Sequence, residues 1–254
     1  PERLIGKRVV GEINIPCGRC SICRLGLGKH CPNRSVLGIN KRSGSFADYL
    51  SLPVKNLHVV PDGISDEEAA FTEPLAAACE VPARVKINAS SKVAVLGDGR
   101  LAALTSQVIA LKTNDITVIG LNPAKLSVIG SLGIRTHDVA RKNRLKRMFD
   151  VVVECTGKPA GLPLASELVR PQGTVVLKST YSGRLNWNPA RLVIDEITIV
   201  GSRCGPFETA LRLLSLGKVK VSPLLTSVYP FEHWQKAFRR ARRSDSFKVL
   251  IRFT

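Results

Sequence analysis

The chain has 254 residues, 44% hydrophobic, 5% aromatic and 23% charged, with 38 Lys and Arg against 20 Asp and Glu for a formal charge of +18. That apolar fraction offsets the entropy of ordering, which excludes a disordered chain, and the composition also excludes a collagen-like repeat and a disulfide mini-protein. Apolar runs such as Val151-Val152-Val153 and Val175-Val176-Leu177 fall far short of the roughly 20 residues of a membrane span, and the first seven residues lack the apolar core of a signal peptide, so a cytoplasmic protein is expected.

In chain order, residues 1–60 hold short alternating runs at Arg8-Val9-Val10, Phe46-Ala47-Asp48-Tyr49-Leu50 and His58-Val59-Val60, separated by Gly, Pro, Asn and Ser, which predict small antiparallel strands. Between them lie Cys17, Cys20, Cys23 and Cys31, spaced C-x2-C-x2-C-x7-C. Four thiolates this close together suit a tetrahedral Zn²⁺ site, and a full sulfur set leaves no position open for substrate, so the metal is read as structural. Arg19, Arg24 and Lys29 favour thiolates by Coulomb attraction, and His30, next to Cys31, is read as a bystander.

From residue 92 the pattern changes to buried-type strands alternating with helix-length amphipathic stretches, the mark of a parallel α/β sheet. Strands are predicted at 92–96, 115–119, 150–155, 174–178 and 197–201, with a weaker one near 135–137. Helices are predicted at about 100–111, 122–131, 159–169 and 206–216. After residue 217 the pattern is mixed again.

The strand Lys92-Val93-Ala94-Val95-Leu96 runs into Gly97-Asp98-Gly99-Arg100-Leu101-Ala102, a G-x-G-x-x-A turn that opens an apolar helix. Gly97 permits the tight turn, Gly99 lets a pyrophosphate approach the backbone, and the unpaired amides at the helix start, those of Arg100 and Leu101 among them, would hold the phosphates. The next strand ends in Gly120-Leu121-Asn122, with Lys125 one helical turn further on. No carboxylate stands there to bond a ribose 2′-hydroxyl or repel a 2′-phosphate, which leans the cofactor reading from NAD toward NADP, although the arginine that commonly clasps that phosphate is absent too.

These features, together with Gly44-Ser45-Phe46-Ala47-Asp48-Tyr49, Glu73-Pro74-Leu75-Ala76, Val153-Glu154-Cys155-Thr156-Gly157, Gly201-Ser202-Arg203-Cys204-Gly205 and Lys248-Val249-Leu250, resemble medium-chain, zinc-dependent alcohol dehydrogenases. The likeness runs through nearly the whole chain and is greatest to the threonine, sorbitol and glucose dehydrogenase branch. It implies a Rossmann doubly wound parallel sheet plus a partial GroES-like β domain: residues 1–80 as that partial domain with its zinc lobe, 81–216 as the dinucleotide-binding domain, and 217–254 as a return to the first. It also implies hydride transfer between an alcohol or carbonyl substrate and NAD(P), and a homodimer or homotetramer. Thr156, Gly157, Lys178 and Ser179 would lie beside the nicotinamide, and Glu73 would bind a catalytic zinc directly or through water. The resemblance begins inside the family's pattern, and the segment bearing its Cys and Gly-His-Glu zinc ligands has no counterpart. With Pro1 first and Met148 the only methionine, the chain reads as one that lacks its opening segment.

Two other readings stand beside the enzyme. One is a non-catalytic nucleotide-binding protein that keeps only the structural zinc. The other is a nucleic-acid-binding protein using the basic runs at 141–147 and 239–243, which a missing recognition motif and scarce aromatic residues disfavour.

Overall fold

The computed structural model describes residues 2–139 and 145–253. The opening segment carries β1 (Val9–Gly11), β2 (Asn14–Ile15), helix α1 (Ser21–Arg24), β3 (Ser35–Val36) and β4 (Leu57–Val59). Strands β1 and β4 pair antiparallel, as do β2 and β3, so two strand pairs bracket the cysteine-bearing loop. The strand expected at 46–50 does not form. Phe46 and Tyr49 are exposed, and the Phe46 ring lies 5.8 Å from that of Phe238 and 6.2 Å from that of Phe253, a side-chain contact in place of strand pairing.

Helix α2 (Asp66–Ala69) begins with a reciprocal cap: Ser65 Oγ accepts from the Glu68 amide while Glu68 accepts from that of Ser65. Helix α3 (Thr72–Arg84), absent from the sequence expectation, follows. Pro74 sits in its first turn, where an amide has no intrahelical partner to lose.

The central sheet is built from β5 (Val93–Leu96), α4 (Arg100–Ala110), β6 (Ile116–Gly120), α5 (Pro123–Ser131), β7 (Arg135–Asp138), β8 (Phe149–Glu154), α6 (Gly161–Leu168), β9 (Val169–Leu177), α7 (Ala190–Ile194) and β10 (Thr198–Gly201). Its six strands lie in the order β10-β9-β8-β5-β6-β7, all parallel. This is a Rossmann doubly wound sheet, whose order reverses between β5 and β8.

Strand β5 shows why the sheet is covered on both faces. Val93 and Val95 join an apolar layer with α3, α4 and α8 (Phe207–Ser215), while Ala94 and Leu96 join a second with α6. The period of two sends alternate side chains to opposite layers. Each fully buried Val or Leu of this kind contributes roughly 1.5–3 kcal/mol.

The chain ends with β11 (Leu225–Pro230), α9 (Trp234–Ala241) and β12 (Lys248–Arg252), with β11 and β12 parallel neighbours. This part touches the opening segment through the Phe46 contacts and α2 through an ion pair between Arg252 and Glu67. Of the two basic runs, residues 141–144 lie outside the described residues. In the other, Arg240 and Arg243 both pair with Asp245.

Candidate metal centre and nucleotide cleft

The four cysteines come together because the backbone between β2 and β3 folds in tight turns. Cys20 caps α1, Cys23 lies within it, and Cys31 follows a 3-10 turn over Gly28–His30, where its amide donates to the Gly28 carbonyl at 3.0 Å. The sulfurs all lie within 4.8 Å of one another, with Sγ separations of 3.4 Å for Cys20 and Cys23, 3.7 Å for Cys20 and Cys31, and 3.9 Å for Cys17 and Cys23. A tetrahedral zinc with bonds of about 2.3 Å needs sulfurs about 3.8 Å apart, so the donor set and its spacing both fit that ion. Backbone hydrogen bonds from Arg19 and Cys20 hold the Cys17 thiol down to about 6. Lys29 fastens the lobe to the rest of the fold, pairing with Glu80 on α3 and donating to the Cys204 carbonyl at 3.0 Å.

A cleft of about 730 Å³ opens at the C-terminal ends of β5, β6 and β8, beside the reversal in strand order where dinucleotides bind in this architecture. Gly97, Gly99, Gly120, Asn122, Lys125 and Thr156 line it. Gly97 has φ +121°, and a Cβ there would meet the Cys155 carbonyl oxygen at 2.9 Å. Gly99 differs: a Cβ on it would have no neighbour within 4 Å, so its missing side chain leaves open space at the start of α4. That helix has no side-chain cap, and its first closing bond runs from the Ala103 amide to the Gly99 carbonyl. The amides of Arg100, Leu101 and Ala102 thus lack intrahelical acceptors, which suits a pyrophosphate.

Several expected cofactor residues do not line the cleft with their side chains. Arg100 turns away to donate to the Phe247 carbonyl at 3.3 Å, and burial lowers its pKa. Leu101 packs against the core. Lys178 is outside this cleft's lining as well: its ammonium donates to Ala77 O at 2.6 Å, Arg203 O at 2.9 Å and Ser202 Oγ at 3.3 Å, so it braces β9 against α3. Ser179 Oγ accepts from the Gly157 amide at 2.7 Å, tying the ends of β8 and β9 together behind the cleft. Thr156 is held by Glu154, only 1% exposed, which accepts from its amide at 2.7 Å and its hydroxyl at 2.5 Å.

Glu73 lies in the first turn of α3, and its charge counters the effect of burial on Arg100, Lys178 and Lys248. Among the described residues the four cysteines are the one cluster of three or more potential metal ligands, and Glu73 is not part of it. Burial pushes the Cys155 thiol up to about 12 and that of Cys79 up to about 11, which keeps both protonated near neutrality.

Ser244 and Asp98 are among the cleft residues that sequence reasoning missed. Ser244 reaches the cleft from the loop before β12, its carbonyl accepting from Asn122 Nδ2 at 3.2 Å. Asp98, at the second position of the glycine turn, accepts from the amides of Leu121 and Asn122 at 2.7 and 2.8 Å. The strand end that reads as lacking a carboxylate therefore has one beside it, supplied by the turn after β5. The signal available in the sequence was an acid between two glycines together with a glycine ending the next strand.

Residues 68–253 match the family model described as glucose dehydrogenase C-terminus, and residues 2–62 match the alcohol dehydrogenase GroES-like domain. A sorbitol dehydrogenase of Halalkalibacterium halodurans is 31% identical over 263 residues, spanning 97% of this chain and 76% of the relative. An L-threonine 3-dehydrogenase of Chelativorans sp. is 29% identical, spanning 98% and 76%. Among solved structures, a protein described as a zinc-binding dehydrogenase from Sinorhizobium meliloti, bound to NADP, superposes with a TM-score of 0.88 at 26% identity, covering 97% of this chain and 76% of that one. Galactitol-1-phosphate dehydrogenase from Escherichia coli gives 0.88 at 26%, covering 96% and 77%.

Proposed function

Since this chain belongs to the zinc-dependent alcohol dehydrogenase family of medium-chain dehydrogenases, we propose that it interconverts a secondary alcohol, most simply one hydroxyl of a polyol, and the matching carbonyl. The observation that carries the proposal is the glycine turn opening onto the cleft where the strand order reverses. The polyol preference is supported by the names of the sorbitol and galactitol-1-phosphate relatives.

A bound nicotinamide cofactor would supply or accept the hydride. The protein's part is to hold that cofactor: the first amides of α4 face its phosphates, and Gly99 leaves room for them. Gly120 and Asn122 border the end of the cleft beyond β6, while Thr156, fixed by buried Glu154, borders the end beyond β8. Cys17, Cys20, Cys23 and Cys31 would hold a zinc whose work is to fold their loop. Glu73 is proposed, on the family resemblance, as a contributor to a second zinc. Since Glu73 belongs to no group of three or more potential metal ligands among the described residues, we derive no catalytic step through that metal.

The proposed assembly is a homodimer or homotetramer in the cytoplasm. Exposed Val193 and Ile194 beside the edge strand β10 support the self-association part. Titration with NADH and NADPH, followed by nicotinamide fluorescence, tests the cleft, and a panel of polyols with oxidised cofactor tests the reaction. Failure to bind either dinucleotide would overturn the proposal. Dinucleotide binding by the full-length gene product with no zinc-dependent turnover would instead favour the non-catalytic reading.

A further inference from the structure

The structure assigns Asp98 the role of discriminating against a 2′-phosphate, which makes NAD the preferred dinucleotide. This inference rests on the reading of the cleft as a dinucleotide site. In such sites an acid at the end of the second strand commonly bonds the ribose 2′-hydroxyl. Here the second strand of the unit, β6, ends in Gly120, and the reason is steric. A Cβ at Gly120 would lie 2.6 Å from Asp98 Cβ and 2.8 Å from Asp98 Oδ2. The space an acid on β6 would need is already filled by a carboxylate from the neighbouring strand's turn.

Asp98 also occupies the donors at this strand tip. Its Oδ2 accepts from the Leu121 and Asn122 amides, the two that follow β6 and would otherwise be free for phosphate oxygens. A 2′-phosphate would meet negative charge and amides that already have an acceptor, whereas a ribose hydroxyl can donate to the same carboxylate. Among the described residues two lysines line the cleft. Lys125 holds its ammonium 5.5 Å from the centre of the Phe247 ring, and Lys158 follows β8, two strands from β6 in the sheet order. Asp98 combines the acid with direct hydrogen bonds at the strand tip.

Calorimetric titration of the full-length protein with NAD⁺ and NADP⁺ tests this, with the Asp98→Asn variant beside it. The expected result is NAD⁺ binding at least about tenfold tighter than NADP⁺, with a ratio in Asp98→Asn that narrows by about fivefold or more through tighter NADP⁺ binding. Should the variant fold poorly, competition by 5′-AMP and 2′-AMP against bound NADH on the unaltered protein decides the matter, the first expected to compete better. NADP⁺ binding as tightly as NAD⁺, 2′-AMP competing as well as 5′-AMP, or a ratio unmoved in Asp98→Asn overturns the role of Asp98. Binding of neither dinucleotide overturns the reading of the cleft itself, and this inference with it.

Discussion

Gly205 rests directly on the α3 backbone: a Cβ added to it would lie 1.9 Å from the Ala76 carbonyl oxygen and 3.1 Å from the Glu80 amide. The loop after β10 can sit on α3 only because residue 205 has no side chain. Gly205→Ala must push that loop off the helix, disturbing the Lys178 and Lys29 contacts anchored beside it. The expected cost is about 3 kcal/mol, read as a lowered denaturation midpoint in urea. A midpoint equal to the unaltered protein's would show that the loop shifts freely.

Gly97→Ala and Gly99→Ala should separate folding from binding. At position 97 the positive φ and the approach to Cys155 O predict a loss of about 2–3 kcal/mol. At position 99 a methyl group meets nothing, so stability should hold within about 0.5 kcal/mol while dinucleotide affinity falls about tenfold or more. Thermal melts and a fluorescence titration on each variant check both halves. Unchanged affinity in Gly99→Ala would count against the phosphate cradle at α4.

Metal analysis of the purified protein should give about one zinc from the tetrathiolate, and Cys20→Ser should remove it. Only the lobe between β2 and β3 depends on that ion for its shape, so limited proteolysis should cut there first. The central sheet, with its own apolar layers, should keep its circular dichroism. Simultaneous collapse of the whole fold would show that the lobe is integral to it.

Lys248 supports a prediction about pH. Burial is the main reason its ammonium pKa falls to about 8, with Arg100 adding repulsion and Glu73 opposing both. Because the folded value lies below the unfolded one, the unfolded chain binds more protons between about pH 8 and 10.5, and this lysine's contribution to stability rises with pH across that window. Below it the penalty is fully present. Lys248→Met should therefore stabilise the protein near pH 7 by roughly 1–3 kcal/mol, less the ammonium's contact with the Phe71 ring, and lose that gain near pH 10. Urea unfolding at both pH values measures the difference, and a gain independent of pH would show that packing is responsible.

The parallel sheet was legible in the sequence because inner strands such as β5 and β6 are buried throughout and run into or end on a glycine, a pattern local to each segment. The tetrathiolate was legible for a similar reason, since all its ligands lie in one short stretch. Helix α3 was not, because Thr72, Pro74, Leu75, Ala76, Ala78, Cys79, Glu80 and Val81 are all buried and leave little polar face to give a helical period, while two prolines argue against a helix. The segment at 46–50 misled in the opposite way, its alternation serving a ring contact in place of a strand. In the cleft, glycines were readable from their spacing. The roles of Asp98 and Ser244 depend on partners 23 or more residues away in sequence, which no local pattern reveals.

The central position of β5 also bears on synthesis. One edge of β5 can pair with β6 soon after it is made, but the other waits for β8, whose first residue comes about 50 positions later. At ribosomal rates of about 5–20 residues per second, that edge of an entirely apolar strand stays unpaired for roughly 3–10 s, an interval in which chaperones or a neighbouring nascent chain compete with the native partner.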